Sequence, residues 1–361
     1  MTWIDVERDP ELAVVRSGDE LDWDALQRYL RAVVEEDLSP TMEVGQFPNG
    51  SANLTYLIAF AERRFVIRRP PRGTLPPGAH DMAREHRVLS RLWRSYPRAP
   101  RALAFSDDSG IIGAPFLVIE YRPGSVIRSG LPAAMDRHSD APGAVSAAFV
   151  DAVADLHMVR PEDCGLQDLG RPDGFVERQL RGWAKRWGAA RRPDRPVPAM
   201  DRIGEALGSG IPTPQQVSFV HSDLKLDNCQ FASDDPTVVR SVFDWDMTTL
   251  GDPLIDLGTA LSYWPALGSA GAAARALWPG QDRLGLWSRE KVRERYAALT
   301  GLDVSRSAWY EAFGSWKTAI ALQQLANRGL DGHTQDSRLA GYAEIVPVAA
   351  EAAWATLQES S

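Results

Sequence analysis

The feature that most constrains this chain is the stretch from residue 218 to residue 261. It reads S-F-V-H-S-D-L-K-L-D-N-C-Q-F, then a short polar connection, then S-V-F-D-W-D-M-T-T-L-G-D-P-L-I-D-L-G-T-A-L. Two short apolar runs, 217–220 and 238–243, are expected to be buried strands. Each delivers a carboxylate where its apolar character ends, Asp223 after the first and Asp244 after the second. Asn228 follows Asp223 by five residues, so one loop can present a carboxylate and a neutral amide oxygen to the same small volume. Phosphoryl transfer asks for such a set: one carboxylate orients an acceptor hydroxyl and takes its proton, while hard oxygen ligands hold Mg²⁺.

At these residues the sequence resembles a known family. H-S-D-L-K-L-D-N followed by F-D-W-D is similar to the catalytic loop and metal-binding segment of the aminoglycoside phosphotransferase and choline kinase family, relatives of the protein kinases. The resemblance implies that Asp223 is the catalytic base and that Asn228 and Asp244 are the Mg²⁺ ligands, with ATP as phosphoryl donor. It further implies an α+β, bilobal, protein-kinase-like fold: a small N-terminal lobe of antiparallel sheet plus helix, and a larger, mainly helical C-terminal lobe. The expected boundaries are an N-terminal extension and helix over 1–39, the nucleotide-binding lobe over 40–123 with the hinge at its end, and the C-lobe over 124–361. Lys225 lies close enough to the base to touch the transferring phosphate. Ser222 departs from the family's usual glycine, which puts the local backbone shape in question. His221 is expected to fix the loop backbone, Asp256 to brace the loop by accepting main-chain N–H groups, and Asp246 to reach a metal through water.

The nucleotide side follows from the same resemblance. The run N-G-S-A-N-L-T-Y sits where the family has its phosphate-covering loop, which assigns Asn49, Gly50 and Ser51 to the cofactor. An ordinary hairpin turn fits the same residues. The next strand, R-F-V-I-R-R, carries arginine where the family usually has a phosphate-contacting lysine. Alternation puts Phe65 and Ile67 on one face and Val66 and Arg68 on the other, so Arg68 is the expected replacement, Glu85 its expected helix partner, and Arg69 the rival. The strand L-V-I-E-Y-R-P-G is the expected hinge, with the backbone of Glu120 and Tyr121 contacting adenine.

Helices are expected at 22–34 capped by Asp22, at 80–92, 146–157, 173–190, 288–299, 308–327 and 336–357, from apolar positions recurring every three or four residues. His157 is expected to be a packing residue. Trp183 and Trp187 fit core packing better than an acceptor pocket, and Trp309, Tyr310, Trp316, Gln323, Gln324 and Asn327 are candidates for an acceptor wall.

A net charge of −8 argues against a nucleic-acid partner and mildly favours a cationic substrate. Two cysteines, an acidic N-terminus and the lack of a long apolar run predict a cytoplasmic protein with no membrane partner. There is no G-x-x-x-x-G-K-[ST], H-E-x-x-H, paired C-x-x-C or G-x-S-x-G, which leaves Walker-type, zinc and nucleophile-elbow chemistries without support. The expected activity is transfer of the γ-phosphate of ATP to a hydroxyl of a small molecule. The runs I-R-R-P-P-R-G-T-L-P-P-G-A-H-D-M-A-R-E-H-R-V-L and T-L-G-D-P-L-I-D-L resemble the family branch associated with acyl-CoA dehydrogenases, which implies a hydroxyacyl-CoA acceptor. An aminoglycoside or another amino-alcohol or sugar is the rival acceptor. A nucleotide-binding regulatory module without catalysis is the rival class, supported only by Arg68 and Ser222. A protein kinase is disfavoured because Asp244 leads to Asp256 too quickly for a peptide-docking segment.

Overall fold

The computed structural model describes residues 2–4, 11–34, 38, 40–48, 53–71, 81–266, 268, 271–332 and 338–358. The chain divides into two compact units, the first formed by Met1–Ser125, Cys164–Leu166 and Arg240–Thr248, the second by Val126–Asp163, Gln167–Val239 and Thr249–Ser361.

The first unit is built on a six-stranded sheet. In chain order it contains β1 (Thr2–Trp3), α1 (Trp23–Val33), β2 (Glu43–Gln46), β3 (Leu54–Phe60), β4 (Arg63–Arg69), α2 (Met82–Leu89), β5 (Ala102–Ser106), α3 (Ser109–Ile112) and β6 (Phe116–Glu120). The strand order is β1-β2-β3-β4-β6-β5. All pairs are antiparallel except β1 with β2, which is parallel. Helix α1 starts where Asp22 accepts from the Ala25 N–H at 2.9 Å, and its buried Leu26 and Leu30 join Tyr56, Ile58, Ile67 and Val118 in the core. Asp81 caps α2 through the Arg84 N–H at 2.9 Å. That helix stops at Leu89, with a separate 3₁₀ turn at Leu92–Arg94, so the helix expected to continue to residue 92 is interrupted.

After β7 (Ser125–Val126), the second unit is mainly helical. It contains α4 (Ala141–His157), α5 (Phe175–Ala190), α6 (Pro198–Ser209), β8 (Ser218–Val220), β9 (Cys229–Ala232), the first part of β10 (Asp235–Val242), β11 (Thr249–Gly251), α7 (Leu254–Tyr263), α8 (Ala272–Leu277), α9 (Arg289–Thr300), α10 (Ser307–Leu330), α11 (Arg338–Gly341) and α12 (Ile345–Gln358). Helix α4 begins before the expected residue 146 because Asp140 caps it through Gly143 N–H at 2.9 Å and Pro142 suits its first turn. The single helix expected over 336–357 is instead α11, a 3₁₀ turn and α12. Val217 is half exposed and lies outside β8, which pairs antiparallel with β11.

At the centre of this unit α7 packs on α10 at very short range. A Cβ on Gly258 would lie 2.3 Å from the Tyr310 carbonyl oxygen, and one on Gly314 would lie 2.8 Å from the Gly258 oxygen. Only glycine permits backbones this close. The contact fixes α7, which carries Asp256, against α10, which carries Lys317.

Candidate active site

The chemistry-bearing residues fall into one cluster in each unit. In the first unit, Arg68 on β4 is buried and makes two ion pairs: its Nε lies 3.2 Å from Glu85 Oε2 on α2, and its Nη2 lies 2.6 Å from Asp244 Oδ1. Arg69 takes a different course, donating to the carbonyls of Ile112 at 2.8 Å and Pro70 at 3.2 Å. Burial alone would weaken the Arg68 charge, but Glu85, Asp244 and Asp246 together outweigh it and raise its pKa. Burial also pushes the Glu85 carboxyl up to about 7, with Asp244 and Asp246 adding to the effect and Arg68 opposing it.

The D-W-D segment is held by its tryptophan. Trp245 is fully buried, its Nε1 donates to the Val242 carbonyl at 2.7 Å, and its ring meets Tyr96 edge-on. Asp244 itself has φ 70°, a left-handed conformation that Asp tolerates better than most residues and that is typical of functional positions. Asp246 is buried and accepts a long hydrogen bond of 3.5 Å from Asn53. The Glu120 carboxylate accepts from Arg122 Nε at 2.6 Å and from the Arg101 N–H at 3.0 Å, and the Arg64 guanidinium sits 5.5 Å from the Tyr121 ring centroid. Asn49, Gly50 and Ser51 lie outside the described residues.

In the second unit the cluster forms around Asp223. Its Oδ2 accepts from Lys225 Nζ at 2.7 Å and from Asn228 Nδ2 at 3.1 Å. Asn228 Nδ2 also bonds the Asp223 carbonyl at 2.8 Å, so the nitrogen of its amide is used within the loop. Burial works against the Lys225 charge, yet Asp223, Asp227 and Tyr263 raise its pKa well above the ordinary value. Its ammonium also lies 5.6 Å from the Tyr263 ring centroid. Burial raises the pKa of Asp227, which accepts from Trp278 Nε1 at 3.3 Å.

The backbone leading into Asp223 is held residue by residue. Asp256, fully buried on α7, accepts from the His221 N–H at 2.5 Å and from the Ser222 N–H at 2.7 Å, one bond to each carboxylate oxygen. Ser222 has φ 75°, so the shape that glycine takes most easily is kept here by a serine. The Asp223 N–H faces His221 Nδ1 at 3.3 Å. His157 is buried below, with Nδ1 2.7 Å from the Tyr296 hydroxyl and Nε2 3.4 Å from Asp256 Oδ2.

Lys317, absent from the sequence reading, donates to the Ser222 carbonyl from the middle of α10 and is buried. Burial lowers its pKa, with Asp223 and Asp256 opposing and Lys225 and Arg186 reinforcing the drop. Its only signal in the sequence is a lone charge within A-F-G-S-W-K-T-A-I-A-L.

The aromatic residues considered for an acceptor wall are mostly spent on packing. Trp309 and Trp316 donate to the Leu207 and Met200 carbonyls at 3.0 Å each, Tyr310 to Asp252 at 2.6 Å, and Trp187 to Asp201 at 2.8 Å. Asn327 donates to the Ala190 carbonyl at 2.8 Å. Trp183 differs, because the cationic ends of both Arg186 and Lys317 approach its ring, at 4.4 and 5.8 Å from the centroid.

Comparison with known proteins identifies the family and the fold. The mouse protein "Acyl-CoA dehydrogenase family member 10" is 31% identical over 350 residues, which is 96% of this chain but 32% of that protein, so the chain spans about a third of its length. A crystal structure from Ralstonia eutropha, provisionally assigned as an aminoglycoside phosphotransferase, is 27% identical with a TM-score of 0.75 and covers 94% of this chain and 99% of its own. A thermostable mutant of the aminoglycoside phosphotransferase APH(4)-Ia, in ternary complex with AMP-PNP and hygromycin B, is 15% identical with a TM-score of 0.54, covering 90% and 98%; this likeness is one of fold alone. The family model of the phosphotransferase enzyme family (APH) matches residues 43–294, from β2 through the Asp223 loop and into α9. With most of its length under that match, the chain belongs to the phosphotransferase enzyme family and has a kinase-like phosphotransferase fold.

Proposed function

We propose that this protein is an ATP- and Mg²⁺-dependent O-phosphotransferase that phosphorylates a hydroxyl of a small molecule, a hydroxyacyl-CoA being the acceptor class best supported. The observation that carries the reading is Asp223: a carboxylate bonded to Lys225 and Asn228, on a loop whose backbone is fixed by a buried aspartate. In the proposed reaction Asp223 orients the acceptor hydroxyl and takes its proton as the oxygen bonds to the γ-phosphorus. The bond from that phosphorus to the β,γ-bridging oxygen breaks, and ADP leaves. Lys225, kept charged by its carboxylate neighbours, meets the negative oxygens of the phosphoryl group in transit. Arg68, anchored on Glu85, binds nucleotide phosphate in place of the usual lysine.

The donor set suits Mg²⁺. Among the described residues no cluster of three or more His, Cys, Asp or Glu side chains is arranged to hold a metal alone, and Mg²⁺ is commonly held by one or two carboxylates with water and substrate phosphate. Three acids, Glu85, Asp244 and Asp246, also face the single guanidinium of Arg68, a local excess of negative charge. The Asn228 amide oxygen and the Asp244 carboxylate are each hard oxygen donors of the kind Mg²⁺ takes, and the ion when bound would neutralise phosphate charge.

One observation supports the acceptor class. The similarity to a protein named for acyl-CoA dehydrogenation covers nearly the whole chain. The test is ADP release on mixing with ATP, Mg²⁺ and hydroxyacyl-CoAs, with kanamycin and choline as rival acceptors. Asp223→Ala and Asp244→Ala are expected to abolish release while the melting temperature stays within a few degrees of wild type. Undiminished release in either variant refutes the assignment of that residue.

A further inference from the structure

The peptide group that joins Ser222 to Asp223 is gripped at both ends. Its N–H, which belongs to Asp223, faces His221 Nδ1 at 3.3 Å, and its carbonyl oxygen accepts from Lys317 Nζ. The peptide unit before it is held through the Ser222 N–H by Asp256. Between these two units lies Ser222 with φ 75°, a conformation that costs an L-residue about 1–2 kcal/mol and persists only where its surroundings impose it.

Asp256 holds only the preceding peptides and could do so with the next one rotated, whereas His221 and Lys317 hold the two ends of one planar peptide. Of these two, the His221 contact is long, at 3.3 Å, and comes from a residue of the loop itself, while Lys317 reaches in from α10, so the Lys317 contact is the anchor outside the loop for the direction in which Asp223 leaves the backbone. Lys317 is also a more demanding group to bury than a purely structural donor need be. It is buried on α10, and both Asp223 and Asp256 act on it. Burying an ammonium ion is costly, and a neutral donor such as glutamine would satisfy one carbonyl at lower cost. An amino group at this position is instead acted on by two carboxylates, Asp223 on the loop and Asp256 on α7.

We propose that Lys317 is a positioning residue for the catalytic base: by holding the Ser222 carbonyl from α10 it sets the orientation of the Asp223 carboxylate. This rests on the reading of Asp223 as the base. It gives α10, a helix of the mainly helical subdomain, a direct hold on the catalytic loop.

The experiment compares wild type, Lys317→Met, Lys317→Arg and Asp223→Ala in the full chain, using ATP with a hydroxyacyl-CoA for turnover and calorimetry for ATP binding. Lys317→Met is expected to keep the wild-type ATP stoichiometry and the KM for ATP while kcat falls about 100-fold, the usual consequence of a misplaced reacting group. Lys317→Arg, which keeps charge and donor, is expected to recover at least a tenth of wild-type kcat. The proposal is overturned if Lys317→Met turns over within threefold of wild type. It is equally overturned if Lys317→Met loses ATP-binding stoichiometry in step with kcat, or if Lys317→Arg is no better than Lys317→Met, because then the lysine supports the scaffold alone. An Asp223→Ala variant with normal turnover is a separate failure, of the assignment of the base.

Discussion

Replacing Asp256 with Asn keeps the side chain's shape but takes away one of its two acceptors. In the wild type the two carboxylate oxygens receive the His221 and Ser222 N–H groups at 2.5 and 2.7 Å, with the side chain fully buried. An asparagine must turn its NH₂ toward one of those two donors, which leaves one buried N–H without a partner at a cost of about 1–3 kcal/mol. The remaining bond is no longer charge-assisted, which removes roughly 1 kcal/mol more. Relief of the desolvation borne by the buried carboxylate returns part of this, so the expected net loss is about 2–3 kcal/mol. For a chain of this size that lowers the melting temperature by roughly 3–4 °C. The freed amide lies one or two residues before Asp223, so kcat is expected to fall about 100-fold as the base loses its fixed direction. Scanning fluorimetry and ADP-release kinetics on the same preparation provide both numbers. A variant that melts within 1 °C of wild type and keeps its kcat would refute the role assigned to Asp256.

Ser222→Gly is expected to move stability the other way: relief of the left-handed serine, about 1–2 kcal/mol, exceeds the extra unfolded-chain entropy of glycine, about 0.5–1 kcal/mol. A gain of roughly 0.5–1 kcal/mol in denaturant unfolding, with kcat retained, is the expected outcome, and a loss of more than 1 kcal/mol would mean that the serine side chain holds the turn. Glu85→Gln tests the buried ion pair through pH. In the fold the Glu85 pKa is raised to about 7, against about 4.3 in an unfolded chain, so its contribution is fully present below about pH 4 and is lost as pH rises through 7. In metal-free protein, raising the pH from 5 to 8 should therefore cost wild type roughly 3 kcal/mol that Glu85→Gln does not lose. Parallel stability profiles for the two proteins would show that Glu85 is ionised throughout.

The parts of this protein legible in the sequence are those set by neighbours in the chain. The 22–34 helix was readable because its cap, Asp22, and its apolar face lie within a few turns, and the structure places α1 at Trp23–Val33. The spacing of Asp223, Lys225 and Asn228 puts them on one loop whatever the rest of the chain does, and their hydrogen bonds to one another follow from that. Alternation on β4 separates Arg68 from Arg69, and the two guanidiniums do take different partners. Contacts between distant residues left little trace. Lys317 lies 95 residues from the carbonyl it holds, and a lone charge in an apolar run is its only trace in the sequence. Helix α6 has a weak sequence pattern because Gly204 and Gly208 interrupt it, and a Cβ at Gly204 would stand 3.3 Å from the Trp316 ring, a tight contact between distant residues. Strand β1 is two residues long and exists by pairing with β2, which no local pattern specifies. Among the described residues no helix is long and apolar enough to cross a membrane.

The most direct test follows the phosphoryl group itself. With γ-labelled ATP, Mg²⁺ and a hydroxyacyl-CoA, wild type is expected to place the label on the acyl-chain hydroxyl in a single turnover. Asp223→Ala should bind the nucleotide and transfer none. Label appearing on the acceptor at the wild-type rate with Asp223→Ala would contradict the account at its centre.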